Sequence, residues 1–156
     1  MINEHKAPRR RKEMSNVYRL KRQHAEISKA IDAVLEAIEA GEIAGCAPML
    51  AAQLHEIAAL VTSHLRIEDK EVYPTLMVRP ETAVSGIATA FREHMGNLAH
   101  EFAAFSQRYA TAAVIADDEP EFCQATREIF KKLRLRMQRE ERELYPLMVH
   151  VSRVAV

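Results

Sequence analysis

Apolar residues recur three and four positions apart through most of the chain, in four separated stretches. From Ser15 to Ala40 the stripe is Val17, Leu20, Ile27, Ile31, Val34, Leu35 and Ile38. From Pro48 to Met77 it is Leu50, Leu54, Ile57, Ala58, Val61, Leu65 and Val72. From Glu81 to Ala110 it runs through Ile87, Phe91, Leu98, Phe102 and Phe105. The last stretch, from Asp118 to about Ser152, carries Phe122, Ile129, Leu133, Met137 and Leu144. This spacing puts each set on one side of an α-helix and predicts four amphipathic helices. The punctuation agrees. Ser15 can cap the first helix and Gly41 end it, Pro48 and Pro80 suit helix starts, and Asp118 suits a cap with Pro120 and Glu121 behind it. "VRPET" and "TAAVIADDEPE" read as breaks. Long helices joined by short connections predict an all-α fold, an up-down-up-down antiparallel four-helix bundle over residues 15–156 behind a basic arm over residues 1–14.

Composition sharpens this without redirecting it. A chain of 156 residues with 48% hydrophobic residues suits one domain with a real core, and only 4 glycines fit an all-helical reading. The 22 basic and 22 acidic residues cancel, so no overall charge draws the chain to nucleic acid or to an anionic membrane. The local exception is "HKAPRRRKEMSNVYRLKR", read as a solvated arm or, on the weaker evidence of clustered arginines, as a contact for an acidic partner or nucleic acid. No leader-like apolar segment opens the sequence, and no uninterrupted apolar run reaches the ~18 residues of a membrane span. Cys46 and Cys123, far apart in sequence, read as reduced thiols of a cytoplasmic protein.

The apolar stripes are interrupted by polar residues that should face inward. His24 lies among Leu20, Ile27 and Ile31. His64 follows Val61 and stands four before Glu68. His94 lies between Phe91 and Leu98, and Glu140 stands four beyond Arg136. Residues four apart share a helix face, so His64 with Glu68, and Arg136 with Glu140, can each aim at one point. Unpartnered buried carboxylates are costly, and several His and Glu at matching depth call for a shared compensating charge. A metal ion is one source, and imidazole with carboxylate suits iron, zinc or manganese. His5, His55, His100 and His150 have no such register and read as ordinary histidines. Asp69, Glu71, Glu141 and Glu143 read as solvated, and Tyr73 and Tyr145 as cover for one end of the core.

A repeat ties these residues together. "HLRIEDKEVYPTLM" from His64 matches "RMQREERELYPLMV" from Arg136 through Glu68/Glu140, Glu71/Glu143, Tyr73/Tyr145 and Pro74/Pro146. "LKRQHAEI" at 20–27 likewise echoes "FREHMGNL" at 91–98, pairing His24 with His94. With "RQHAEI", "HLRIEDKEVYP", "REHMGNL" and "REERELYP", the chain resembles the hemerythrin-like, HHE cation-binding family over about residues 17–149. The resemblance implies a non-haem iron site with metal ligands His24, His64, Glu68, His94 and Glu140. It implies one or two iron ions and a role in binding or sensing oxygen, nitric oxide or peroxide. Two positions depart from the pattern: Arg136 stands where a fourth-helix histidine belongs, and Leu98 where oxygen carriers have a second third-helix histidine. The losses fall on one half, leaving His24, His64 and Glu68 as a set sufficient for one iron. They also count against two-metal enzyme chemistry. The alternative reading is a metal-free regulatory bundle acting through protein contact, in which the Arg136 guanidinium supplies the charge that metal supplies elsewhere.

Overall fold

The computed structural model describes residues 6–150, and among them there is no strand. The helices are α1 (Lys6–Ala40), α2 (Ile43–Ile67), α3 (Tyr73–Met77), α4 (Thr82–Arg108), α5 (Ala112–Asp117), α6 (Glu119–Arg139) and α7 (Tyr145–His150). A wide π-turn, Glu68–Val72, joins α2 to α3, and a second, Glu140–Leu144, joins α6 to α7. Gly41, at φ 84°, ends α1, and its N–H reaches the carbonyl of Ile38. Asp118 caps α6, accepting from the N–H of Glu121 at 3.1 Å.

Three boundaries differ from those predicted. Helix α1 reaches back to Lys6, so Arg9 to Lys12 lie on a helix, while residues 1–5 fall outside the described residues. Helix α2 begins at Ile43, five residues before the prediction, with Pro48 inside it. Ile43 and Ala47 are buried, so packing extends the helix ahead of the proline. The break at "TAAVIADDEPE" contains α5, held by a Thr111 cap and the buried Ile115.

The wide turns have a chemical cause. Pro74 and Pro146 bring no N–H to the carbonyls of Lys70 and Arg142 four residues back. Instead the N–H groups of Tyr73 and Tyr145 bond the carbonyls of Glu68 and Glu140, five residues back. Residues five apart on an α-helix point about 140° from each other. The wider turn lets Glu68 and Tyr73 face the same way, and Tyr73 lies within 3.5 Å of the Glu68 carboxylate.

Helix α1 packs along α2, α6 and α7, and α4 lies against α2, α3 and α6. The apolar core is in two parts. The larger includes Ile27, Ile31, Leu50, Ile57, Phe102, Phe130 and Leu133; the smaller includes Leu20, Val72, Leu76, Phe91, Leu144 and Met148. Ile87, expected inside, is 39% exposed. The segment Ile43–Met77, whose apolar run is interrupted, is nevertheless long and apolar enough by length and composition to cross a membrane. Its apolar side, Leu50, Leu54, Ile57 and Val61, is buried against the other helices, and the segment carries His64 and Glu68 inward.

Candidate metal centre

The seam between the two core parts is polar. His24, His64, Glu68, Arg136 and Glu140 are each at most 4% exposed and come from α1, α2, α6 and the two wide turns. Each follows from its register. His24 lies between the buried Leu20 and Ile27, His64 between Val61 and Ile67, and Arg136 between Leu133 and Leu144. The helix periods that bury the neighbours bury these residues with them.

His24 Nε2 lies 3.2 Å from His64 Nε2 and 3.1 Å from Glu140 Oε2. His64 Nε2 is 3.7 Å from the same Glu140 oxygen and 3.5 Å from Glu68 Oε1. The far nitrogens of both rings face outward. His24 Nδ1 meets Glu141 Oε1 at 2.8 Å and His64 Nδ1 meets Gln23 Oε1 at 3.1 Å. A carboxylate and an amide oxygen only accept, so both Nδ1 atoms donate. Tyr145 gives its proton to Glu68 Oε1 at 3.0 Å, which leaves only its oxygen to face His24 Nε2 at 3.1 Å. Two imidazole lone pairs and a carboxylate oxygen therefore converge with no donor among them until a cation arrives. His24, His64 and Glu140 offer ligand atoms all within 4.8 Å of one another, with Glu68 at their side. The donor set fits a metal ion, since outward Nδ1–H bonds fix the tautomer that aims Nε2 at it.

Without a metal the required cation is a proton. Burial disfavours charge on His64, but hydrogen bonds to Glu140 and Glu68 and their attraction outweigh it and raise its pKa to about 9. Burial pushes Glu140 up as well, yet hydrogen bonds from His24 and His64 and the Arg136 charge hold it down at about 2. Glu68 is raised by burial and by the neighbouring Glu140 charge. Burial also raises the hydroxyls of Tyr73 and Tyr145, which stay neutral donors.

Arg136 fills the other half of the seam. Its Nε donates to Glu140 Oε1 at 2.5 Å, and its Nη2 donates to Tyr73 Oη at 3.1 Å and to the carbonyl of Phe91 at 2.7 Å. The guanidinium carbon sits 4.4 Å above the Phe91 ring. Glu140 is thus divided, with one oxygen held by the guanidinium and the other turned to the histidines.

Of the residues singled out in the sequence, His24, His64, Glu68 and Glu140 come together and His94 does not. His94 is exposed, and its Nδ1 lies 3.5 Å from Arg136 Nη1. The arginine occupies the space between α4 and the cluster, so the repeat that pairs His94 with His24 is not kept in three dimensions. His24, His64 and Glu140 form the tightest group, with Glu68 Oε1 3.5 Å from His64 Nε2. Gln23 and Glu141 were missed; Glu141 read as solvated and is 41% exposed at its side chain, yet it orients His24. The tyrosines, read as end cover, bind Glu68. His55 and His100 are exposed, His5 lies outside the described residues, and so does the side chain of His150.

Comparison with known proteins gives one finding: a family model described as the hemerythrin HHE cation binding domain matches residues 15–148. No curated protein and no solved structure gives a significant match.

Proposed function

Because the chain belongs to the hemerythrin HHE cation-binding domain family, we propose that it is a non-haem iron protein with a single-ion site. His24, His64 and Glu140 hold the ion and Glu68 stands beside them. The carrying observation is the convergence of His24 Nε2, His64 Nε2 and Glu140 Oε2 at 3.1 to 3.7 Å, an arrangement that needs a cation, proton or metal, between them. Two histidines and one carboxylate suit non-haem iron with open coordination positions. Iron bound there supplies a redox-active Lewis acid for a small ligand of the oxygen, nitric oxide or peroxide class. This chain's own residues do the rest. Gln23 and Glu141 orient the rings, Tyr73 and Tyr145 hold Glu68, and the buried walls restrict water. The reading includes the antiparallel up-down-up-down bundle over residues 15–156, supported by packing of α1 on α2 and of α4 on α3 and α6. It also includes a cytoplasmic location, supported by the free thiols of Cys46 and Cys123. We read the protein as a binder or sensor rather than an enzyme.

A second reading rests on Arg136, whose guanidinium already balances Glu140. Here the bundle works without metal, and the basic face of α1, with Tyr18 69% exposed, meets a protein partner. Metal content per chain separates the two. Protein from iron-supplemented cells, purified without chelator, is expected to hold one iron, and His64→Ala none. A His64→Ala protein that keeps its iron sinks the site, and a folded wild type that takes up no metal selects the second reading.

A further inference from the structure

We propose that the chain carries a second ligand site, a small-oxyanion site in the cleft between α4 and α6 on the outer side of Arg136. The cleft has a volume of about 210 Å³, and His94, Asn97, Glu101, Lys132, Arg136 and Arg139 contribute to its lining. A guanidinium has five N–H bonds to give. Three of those on Arg136 are given inward, from Nε to Glu140 and from Nη2 to Tyr73 and Phe91. Nη1 has two more, and the contact it makes is a long one, 3.5 Å to His94 Nδ1. Arg136 is only 2% exposed, and Nη1 is the guanidinium atom on the side of His94, which lines the same cleft. A buried charged donor with bonds still to give, at the floor of a cleft, is one half of an anion site.

The walls supply the other half. Lys132 bonds Glu101 across the mouth, and Arg139 bonds Glu143. Lys132 and Glu101 are about half exposed, and Arg139, which also lies over the Phe91 ring, and Glu143 are more than a third exposed; exposed pairs are weakly held, so each cation can turn to an incoming anion at modest cost. Three cationic side chains line the cleft against the one carboxylate of Glu101. The cleft suits an anion of sulfate or carboxylate size, gripped by Arg136 Nη1 from below and by Lys132, Arg139 and Asn97 from the sides. An anion there offsets the charge that Arg136 holds against Glu140, and so favours a cation on the opposite Glu140 oxygen. By reciprocity, the cation then tightens the anion. The anion site stands by itself; this coupling rests on the proposed function.

The test uses sulfate as probe, titrated into the metal-free full chain against chloride at constant ionic strength. Calorimetry is expected to show one saturable site, with the Arg136 Nε–H and the His94 ring resonances shifting together. Lys132→Glu should weaken sulfate at least about tenfold, the scale of one lost charge-assisted bond. Lys29→Glu, on the exposed surface of α1, should leave it unchanged. A non-saturating response, or equal weakening by both substitutions, overturns the site. Repeating the titration with manganese(II) tests the coupling: sulfate should tighten manganese binding, and unchanged affinity removes the coupling. Sulfate binding in a protein that takes no manganese leaves the anion site standing and removes the cation reading instead.

Discussion

Arg136 is the residue on which the chemistry of the seam turns. It is buried to 2% exposure and donates to Glu140, Tyr73 and the Phe91 carbonyl, so its removal orphans a carboxylate, a hydroxyl and a carbonyl at once. Breaking a buried pair from one side typically costs about 3–5 kcal/mol. Arg136→Ala should destabilise the metal-free protein by that order in chemical denaturation, and a loss under about 1 kcal/mol would contradict the charge-balancing role. Arg136→His frees Glu140 Oε1 and sets an imidazole beside His94, so iron content should rise from one toward two per chain. Four of the five candidate ligands, His24, His64, Glu68 and Glu140, share the period of the buried stripe, and the fold brings these four together. His94 shares that period only loosely. It lies one position before Met95, and of these two neighbours Met95 is the one that is buried. Gln23 and Glu141 sit at polar edges that no periodicity marks, and only the ring nitrogens they hold reveal them.

At the scale of elements, the two wide turns explain why "Glu, four residues, Tyr-Pro" occurs twice. A regular helix would turn Tyr73 away from Glu68 and Tyr145 away from Glu140. Each proline removes the bond that would keep the turn regular, and the turn takes up one extra residue. Deleting exposed Lys70 should therefore shorten the wide turn to an ordinary one and leave the residues beyond it in register. Deleting exposed Lys131 from the regular part of α6 should rotate everything beyond it by about 100°. That rotation carries Arg136 and Glu140 out of the seam. Thermal unfolding should show the Lys70 deletion folded and the Lys131 deletion unfolded or several kcal/mol weaker, the scale of losing core packing. Equal damage from both deletions would deny the wide turns this role. The four long helices were readable from period and punctuation, whereas the wide turns, α5 and the early start of α2 were not. Each of these depends on contacts made elsewhere in the chain: the buried Ile115 for α5, Ile43 and Ala47 for α2.

The whole molecule joins α1, α2 and the end of α6 through one polar cluster, so the charge state of that cluster sets global stability. The folded protein raises the His64 pKa from 6.5 to about 9. A raised pKa means that the folded state binds its proton more tightly than the unfolded state does. The stabilisation is complete below pH 6.5 and is lost as pH rises toward 9. Glu140 works in the opposite sense: its depressed pKa gives stability that is present above 4.5 and lost as pH falls toward 2. The metal-free protein should therefore be most stable between these limits and should melt at falling temperature from pH 6.5 to 9. A bound cation takes the place of the His64 proton, so binding near pH 7.5 should release about one proton per ion, and affinity should rise about tenfold per pH unit. Melting with excess manganese(II) should then stay level where the metal-free curve falls, and the gap between the curves should widen with pH. Proton release can be read separately, from calorimetry in two buffers of different ionisation enthalpy. Parallel curves with no proton release would mean that the ion binds somewhere other than between His24, His64 and Glu140.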